Sequence, residues 1–226
     1  MKRLITVILS FFIITSLSAQ EKKSLSAFNV IDVDAPIQLK LVKIKESDTP
    51  YIIYDTKGVK NTRFSFEQKN GTLKIRERQD PQRQSITEVT VGFNSLTDIS
   101  IAKADTKVTG VLNSRLLDIE ISHNANFVAE VDVLDIMVYA SGKSRIEISG
   151  ITEYHTAEIS SAHYNAQNLE SVSTIVESSH NAVARVNAKN RLEMQTSTGG
   201  KIYYHSQPVI LRSRVTTFGG EIAIAK

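Results

Sequence analysis

From Phe28 onward, apolar and polar side chains alternate with a period of two, and no apolar stripe keeps helical spacing for a dozen residues. That pattern predicts an all-β chain. Residues 28–33 read as a strand, as do Ile37, Leu39 and Leu41 with Gln38 and Lys40 between them. Phe64 and Phe66 lead through Lys69, Asn70, Gly71 and Thr72 to Leu73 and Ile75. Asn-Gly tolerates the positive φ of a tight type I′ turn, so this stretch predicts a hairpin. Alternation returns at Val89, Val91 and Phe93 after a polar loop over residues 80–84.

From Leu96 a loose repeat sets in. Short apolar runs begin at Ile99, Ile119, Ile136, Ala157, Ile175, Leu192 and Leu211, with steps of 20, 17, 21, 18, 17 and 19 residues. Each is followed by small polar turn residues, and then by a second strand such as residues 145–148, 201–204 or 221–224. Two short strands and a turn in about 20 residues suit one coil of a parallel β-solenoid. The competing arrangement is a β-sandwich with short, evenly spaced strands, but that much chain is too little for a pair of sandwich hairpins. The predicted fold is therefore an all-β parallel solenoid of about seven coils. It occupies residues 96–226, follows a β-strand region over residues 20–95, and forms one structural unit with it. Stacked coils bury Ile on Ile, and Gly and Asn recur where the corners need a left-handed backbone.

The corners also carry a family likeness. Residues 140–150 (ASGKSRIEISG), 197–203 (STGGKIY) and 218–224 (FGGEIAI) resemble the Ser-Gly-rich, Ile-x-Ile repeats of the head GIN domain family of auto-transporter-type adhesins, common in Bacteroidetes. Residues 28–33 (FNVIDV), 39–41 (LKL) and 70–75 (NGTLKI) look like that family's opening strands. The resemblance implies an exported protein with a right-handed parallel β-helix-like fold and an adhesive or surface-binding role; a cell-surface glycan or protein that exposed tyrosines could hold is the expected partner. It offers no catalytic residue to carry over. The chain departs from the repeat at residues 123–125, 163–166 and 180–182, where His-Asn-Ala or His-Tyr-Asn-Ala replaces a Gly-rich corner.

Composition narrows the setting. Lys2 and Arg3 precede an apolar run over residues 4–17 that ends in Ser18 and Ala19, the pattern of a secretory signal peptide over residues 1–19. The run is too short and too rich in Ser and Thr for a membrane span. Location in the periplasm or at the cell surface follows, with no transmembrane segment after cleavage. Removing residues 1–19 takes two of the 27 basic residues and none of the acidic ones, leaving 25 against 24. A net charge of +1 makes no case for nucleic acid. Cysteine is absent, which excludes disulfides, a lipid anchor on a Cys and thiol chemistry.

Candidate chemistry is sparse. His123, His163 and His180 fall at corners, where two imidazoles one coil apart would offer half a metal site, but Lys143 intervenes and further ligands are lacking. A corner ladder with exposed histidines, and Asn124, Asn165 and Asn181 in the left-handed positions, accounts for them better. No metal, cofactor or catalytic residue is assigned. Glycan cleavage is the alternative activity, and it needs paired carboxylates or a bound cation with a Lys or Arg base. Glu120, Glu147, Glu158 and Glu193 occur singly on predicted strands. Tyr164 and Phe218, at corners, are the aromatics expected to be exposed for binding. Together with His123, His163 and His180 they form the candidate binding set. The last strand, residues 221–225, is a bare sheet edge that invites the N-terminal strands or a second copy.

Overall fold

The computed structural model describes residues 21–57, 63–78, 85–216 and 218–225. The predicted signal segment, residues 1–19, and the whole polar loop at residues 80–84 lie outside them. In chain order the strands are β1 (Glu21–Ser24), β2 (Val30–Asp34), β3 (Gln38–Lys43), β4 (Tyr51–Asp55), β5 (Phe64–Lys69), β6 (Thr72–Glu77), β7 (Glu88–Phe93), β8 (Asp98–Ala102), β9 (Asp105–Ser122), β10 (Asn126–Ala140), β11 (Arg145–Ser160), β12 (His163–Asn165), β13 (Leu169–Ser179), β14 (Val183–Val186), β15 (Arg191–Thr196), β16 (Gly200–Tyr204), β17 (Ile210–Val215) and β18 (Gly220–Ile224). No helix occurs among the described residues.

The strands stack into a β-solenoid of about seven turns. Two facing walls enclose a narrow core. The first wall runs β1–β4–β7–β3, then through the opening halves of β9, β10 and β11 to β12, β14, β16 and β18. The second runs β5–β6–β2–β8, then through the closing halves of the same three strands to β13, β15 and β17. Strands β9, β10 and β11 are long because each bends from one wall into the other.

Register explains the sequence repeat. Ile99 pairs with Ile119, and the column continues through Val138, Ala157, Val176 and Met194 to Ser213. The steps along this column are 20, 19, 19, 19, 18 and 19 residues, more regular than the apolar runs suggested. The two readings differ in phase at Ile175, which is 41% exposed while Val176 is fully buried. Two adjacent β-branched residues left the inward one ambiguous. Every coil spends its backbone hydrogen bonds on its neighbours, so the core is a set of columns of like residues.

Corners turn through left-handed backbone at Lys103, His123 and Asn124, Gly142 and Lys143, Ser161, His180 and Asn181, Thr198 and Gly199, and Phe218 and Gly219. Successive corners bond to one another, as in Asn124 N–H to Gly142 C=O (2.8 Å) and Lys143 N–H to Ser161 C=O (2.7 Å). The hairpin over β5 and β6 is present, with Asn70 at φ 50° and Gly71 at φ 74°. Asn165 does not take a left-handed position: it lies inside β12, and Ser161 makes that corner instead.

The two ends differ. At the N-terminal end antiparallel strands close the stack, with Leu25, Phe28 and Phe64 buried. The Lys22 ammonium sits 4.6 Å from the centre of the Tyr51 ring and Lys23 5.6 Å from that of Tyr54, placing charge along that edge. At the other end all six residues of β17 are exposed. Leu211 and Val215 continue the columns of buried Leu192 and Thr196, yet they are 46% and 52% exposed, because no further coil covers them among the described residues.

Gly150 marks the bend of β11. Its φ is +114°, and a side chain there would press into the Val131 carbonyl of the adjacent coil. Gly150→Ala should lower unfolding free energy by about 2 kcal/mol or more, through strain and a broken ladder. Gly219→Ala, with φ +77° and open space around it, should cost about 1 kcal/mol from backbone strain alone. Urea unfolding of both variants checks this, and equal losses would mean that inter-coil crowding at Gly150 is unimportant.

Candidate functional site

Alternation within each strand sends every second residue of the second wall outward, and register lines these residues up between coils. One such column runs Ser100, Glu120, Tyr139, Glu158, Glu177, Gln195 and Arg214. Two residues further along each strand lies a hydroxyl column of Ser122, Ser141, Ser160, Ser179 and Ser197, spaced 19, 19, 19 and 18 residues apart in sequence. Neighbouring members of a column stand about 4.8 Å apart. Glu120, Tyr139, Glu158, Glu177 and Gln195 of the first column, with Ser141, Ser160, Ser179 and Ser197 of the second, line a shallow depression of about 370 Å³, edged by His180 at its corner. His180 Nδ1 is 3.1 Å from Ser179 Oγ and 3.2 Å from Ser160 Oγ.

The depression is electronegative. Glu120, Glu158 and Glu177 line it, no Lys or Arg does, and none of the three is ion-paired among the described residues. The acidic character extends along the wall to Asp118, whose carboxyl is held above its ordinary pKa by partial burial and by the nearby charges of Asp98 and Asp135. Glu193 differs: Arg191 (2.6 Å) and Arg212 (3.0 Å) hold it below the usual carboxylate range. The expectation that Glu158 stands alone is overturned, because register sets it beside Glu177. The two carboxylates project side by side from one wall, and every lining residue belongs to that wall or its corners. Among the described residues no second wall faces them to hold a scissile bond between an acid and a base.

The predicted set does not converge. His123 and His180 occupy equivalent corners three coils apart, about 14 Å along the axis. His163 is on the other wall, facing outward between Arg145 and Val183. Among the described residues no group of three or more His, Asp or Glu is arranged around a common metal position. Phe218 is 84% exposed, at the corner of the last coil.

Tyr164 is a correction. It is 1% exposed, in a core column between Ile146 and Ala184, where the small Ala184 leaves room for its ring. Its corner-like neighbours Ala162 and His163 suggested a turn, but β12 is a strand and Tyr164 is its inward residue. Across the core it meets His155, with Nε2 and the phenol oxygen 2.8 Å apart. His155 Nδ1 is 3.3 Å from Thr174 Oγ1, which joins Ser171 and the Asn187 carbonyl. The assignment that uses every hydrogen has Tyr164 donating to Nε2 and Nδ1–H donating to Thr174. This satisfied chain ties the two walls together. Glu177 and Gln195 carry no signal of their own in the sequence; the 19-residue recurrence of Ser locates their column.

Fold and site together define a coil-stacked β protein whose outward chemistry is arrayed along a flat wall. A family profile described as "Putative auto-transporter adhesin, head GIN domain" matches residues 27–208. The chain belongs to that family. Among solved structures, a "putative adhesin" from Bacteroides fragilis superposes with a TM-score of 0.82 at 16% identity, covering 92% of this chain and 96% of the other. A "putative lipid binding protein" from Parabacteroides distasonis gives 0.67 at 14% identity, covering 92% and 96%. A "putative adhesin" from the same species gives 0.67 at 19%, covering 91% and 96%. At these identities the likeness is one of fold. No curated protein matches the chain.

Burial pushes the His155 pKa down from 6.5 to about 4 and the Tyr164 hydroxyl up. The folded protein therefore holds His155 neutral where the unfolded chain takes up a proton. Its contribution to stability is complete above pH 6.5 and is lost progressively as pH falls from 6.5 to about 4, in total about 3 kcal/mol. Urea titrations across that range should show a steeper acid loss in wild type than in His155→Leu, whatever the variant's absolute stability. Parallel profiles would rule out the titration of His155 as the cause.

Proposed function

We propose that this protein is an exported, non-enzymatic binding module of adhesin type, and that the second wall receives an extended, uncharged glycan laid along the solenoid axis. The observation that carries this reading is the register of Glu120, Tyr139, Glu158, Glu177 and Gln195 beside the serine column. A repeat of about 4.8 Å approximates the rise of one sugar in an extended polysaccharide. Tyr139, 37% exposed, offers a stacking face, while carboxylates and amide accept hydrogen bonds from sugar hydroxyls. Three unpaired carboxylates repel acidic polymers. Export rests on the charged, apolar and small-residue pattern of residues 1–19. The family's descriptive name and its neighbours' descriptions as adhesins support binding over turnover. In a screen of neutral and acidic oligosaccharides, Tyr139→Ala should weaken neutral ligands about tenfold, about 1.4 kcal/mol. Cleaved oligosaccharide in mass spectra of the incubations would replace this reading with the glycan-cleaving one.

The bare coil at β17 and β18 carries the partner half of the proposal: a second copy covers it by antiparallel pairing of β18 with itself. Centred on Ile222, that pairing sets Ile222 against its counterpart and Glu221 against Ala223, with no like charges opposed. The same operation on β17 centred on Ser213 opposes Arg212 and Arg214, which disfavours that edge. Light scattering at high concentration should give a dimer mass. Ala223→Glu should yield monomer and Ala223→Lys, opposite Glu221, should keep the dimer; a monomeric wild type overturns the pairing.

A further inference from the structure

The first wall bears a different chemistry from the second. Its outer face holds a depression of about 330 Å³ around Arg145, His163 and Arg185. Arg145 is in register with His163 one coil on, and Arg185 with Asn165, so the two arginines stand diagonally across the depression two coils apart. Their Cα atoms are separated by about 12 Å, within reach of two extended guanidinium forks converging on one group. Neither is ion-paired among the described residues; Arg185 lies over the Tyr203 ring at 5.6 Å. Planar forks without a carboxylate partner suit a planar, bidentate oxyanion.

The rest of the lining says what the anion is attached to. Asn126 and Asn165 present amides, Glu147 presents an acceptor, and Val128 is an apolar side chain 43% exposed. A bare inorganic anion can accept from the amides but has no use for Val128 and is opposed by Glu147. A sugar ring uses all of them, with hydroxyls to the amides and to Glu147, and its C–H face to Val128. We propose that this depression is a second ligand site, for a carboxylate-bearing sugar unit of the hexuronate kind. It lies on the wall opposite the electronegative one and does not depend on the neutral-glycan reading. The two walls then sort ligands by charge: neutral sugars on one, acidic sugars on the other.

Calorimetric titration of the mature protein with glucuronate, glucose and inorganic sulfate tests the proposal. Glucuronate should bind, glucose should not at the same concentrations, and sulfate should bind more weakly than glucuronate. Arg145→Gln with Arg185→Gln should weaken glucuronate at least about tenfold, with circular dichroism and melting unchanged. Glu147→Gln, which removes only the opposing charge, should tighten both anions, and this arm stands even if the double variant fails to fold. Tyr139→Ala, on the other wall, should leave glucuronate binding as it was. Binding that survives loss of both arginines, or no glucuronate binding by wild type, overturns the site. Sulfate binding as tightly as glucuronate overturns the sugar assignment.

Discussion

The hydrogen-bonded register between successive coils is the constraint on which everything else rests. A single coil of about 19 residues has no core of its own: its inward residues are covered only when coils lie above and below it. Ile119 is buried because Ile99 and Val138 flank it. Leu211, in line with the same architecture but lacking its outer neighbour among the described residues, is nearly half exposed. Burial here is a property of position in the stack, and the exposed last coil follows from the same rule that buries the middle ones.

That register also dictates the corners and the outer walls. Adjacent coils have to turn at the same height, so left-handed residues fall in line from Lys103 to Phe218, some glycine, some asparagine, and some residues such as Lys143 and Phe218 that adopt the conformation at a cost. Outward residues fall in line too, which converts a sequence period into columns of like chemistry. Where the core departs from apolar columns, at His155 and Thr174, the departure is compensated: the inserted polar groups bond to one another, to Tyr164 from the opposite wall and to the Asn187 carbonyl. Left without those partners, the His155 ring nitrogens and the Tyr164 hydroxyl would each cost about 1–3 kcal/mol in desolvation.

The sequence disclosed most of the architecture and little of the site, for physical reasons that particular residues show. Alternation, the Asn70-Gly71 turn and the His-Asn corners at 123–124 and 180–181 are local, each fixed by backbone preferences of neighbouring residues. Tyr164 was misjudged because its phase depends on a corner at Ser161 that carries no glycine or asparagine. The Glu158 and Glu177 pair was invisible because it exists only through register between residues 19 apart, and the phase of the intervening strand was blurred by Ile175 and Val176. Phe218 was placed correctly at an exposed corner, since the glycines that follow it mark the turn directly.

Translation between coils also argues for recognition over catalysis. Residues related by one coil step point in nearly the same direction, so their functional groups run parallel and spread contact along a ligand. Acid–base chemistry needs groups that close on one atom from different sides. Glu158 and Glu177 show the difference: carboxylates at coil spacing and facing the same way can each take a hydroxyl of successive sugars, but cannot flank one bond. Convergence needs long side chains reaching diagonally across the columns, and Arg145 and Arg185 of the first wall, without an ion-pair partner among the described residues, have that reach. On the proposed glycan-binding reading, a stack of near-identical coils suits ligands that repeat, and the charge that each wall aligns sets the selectivity.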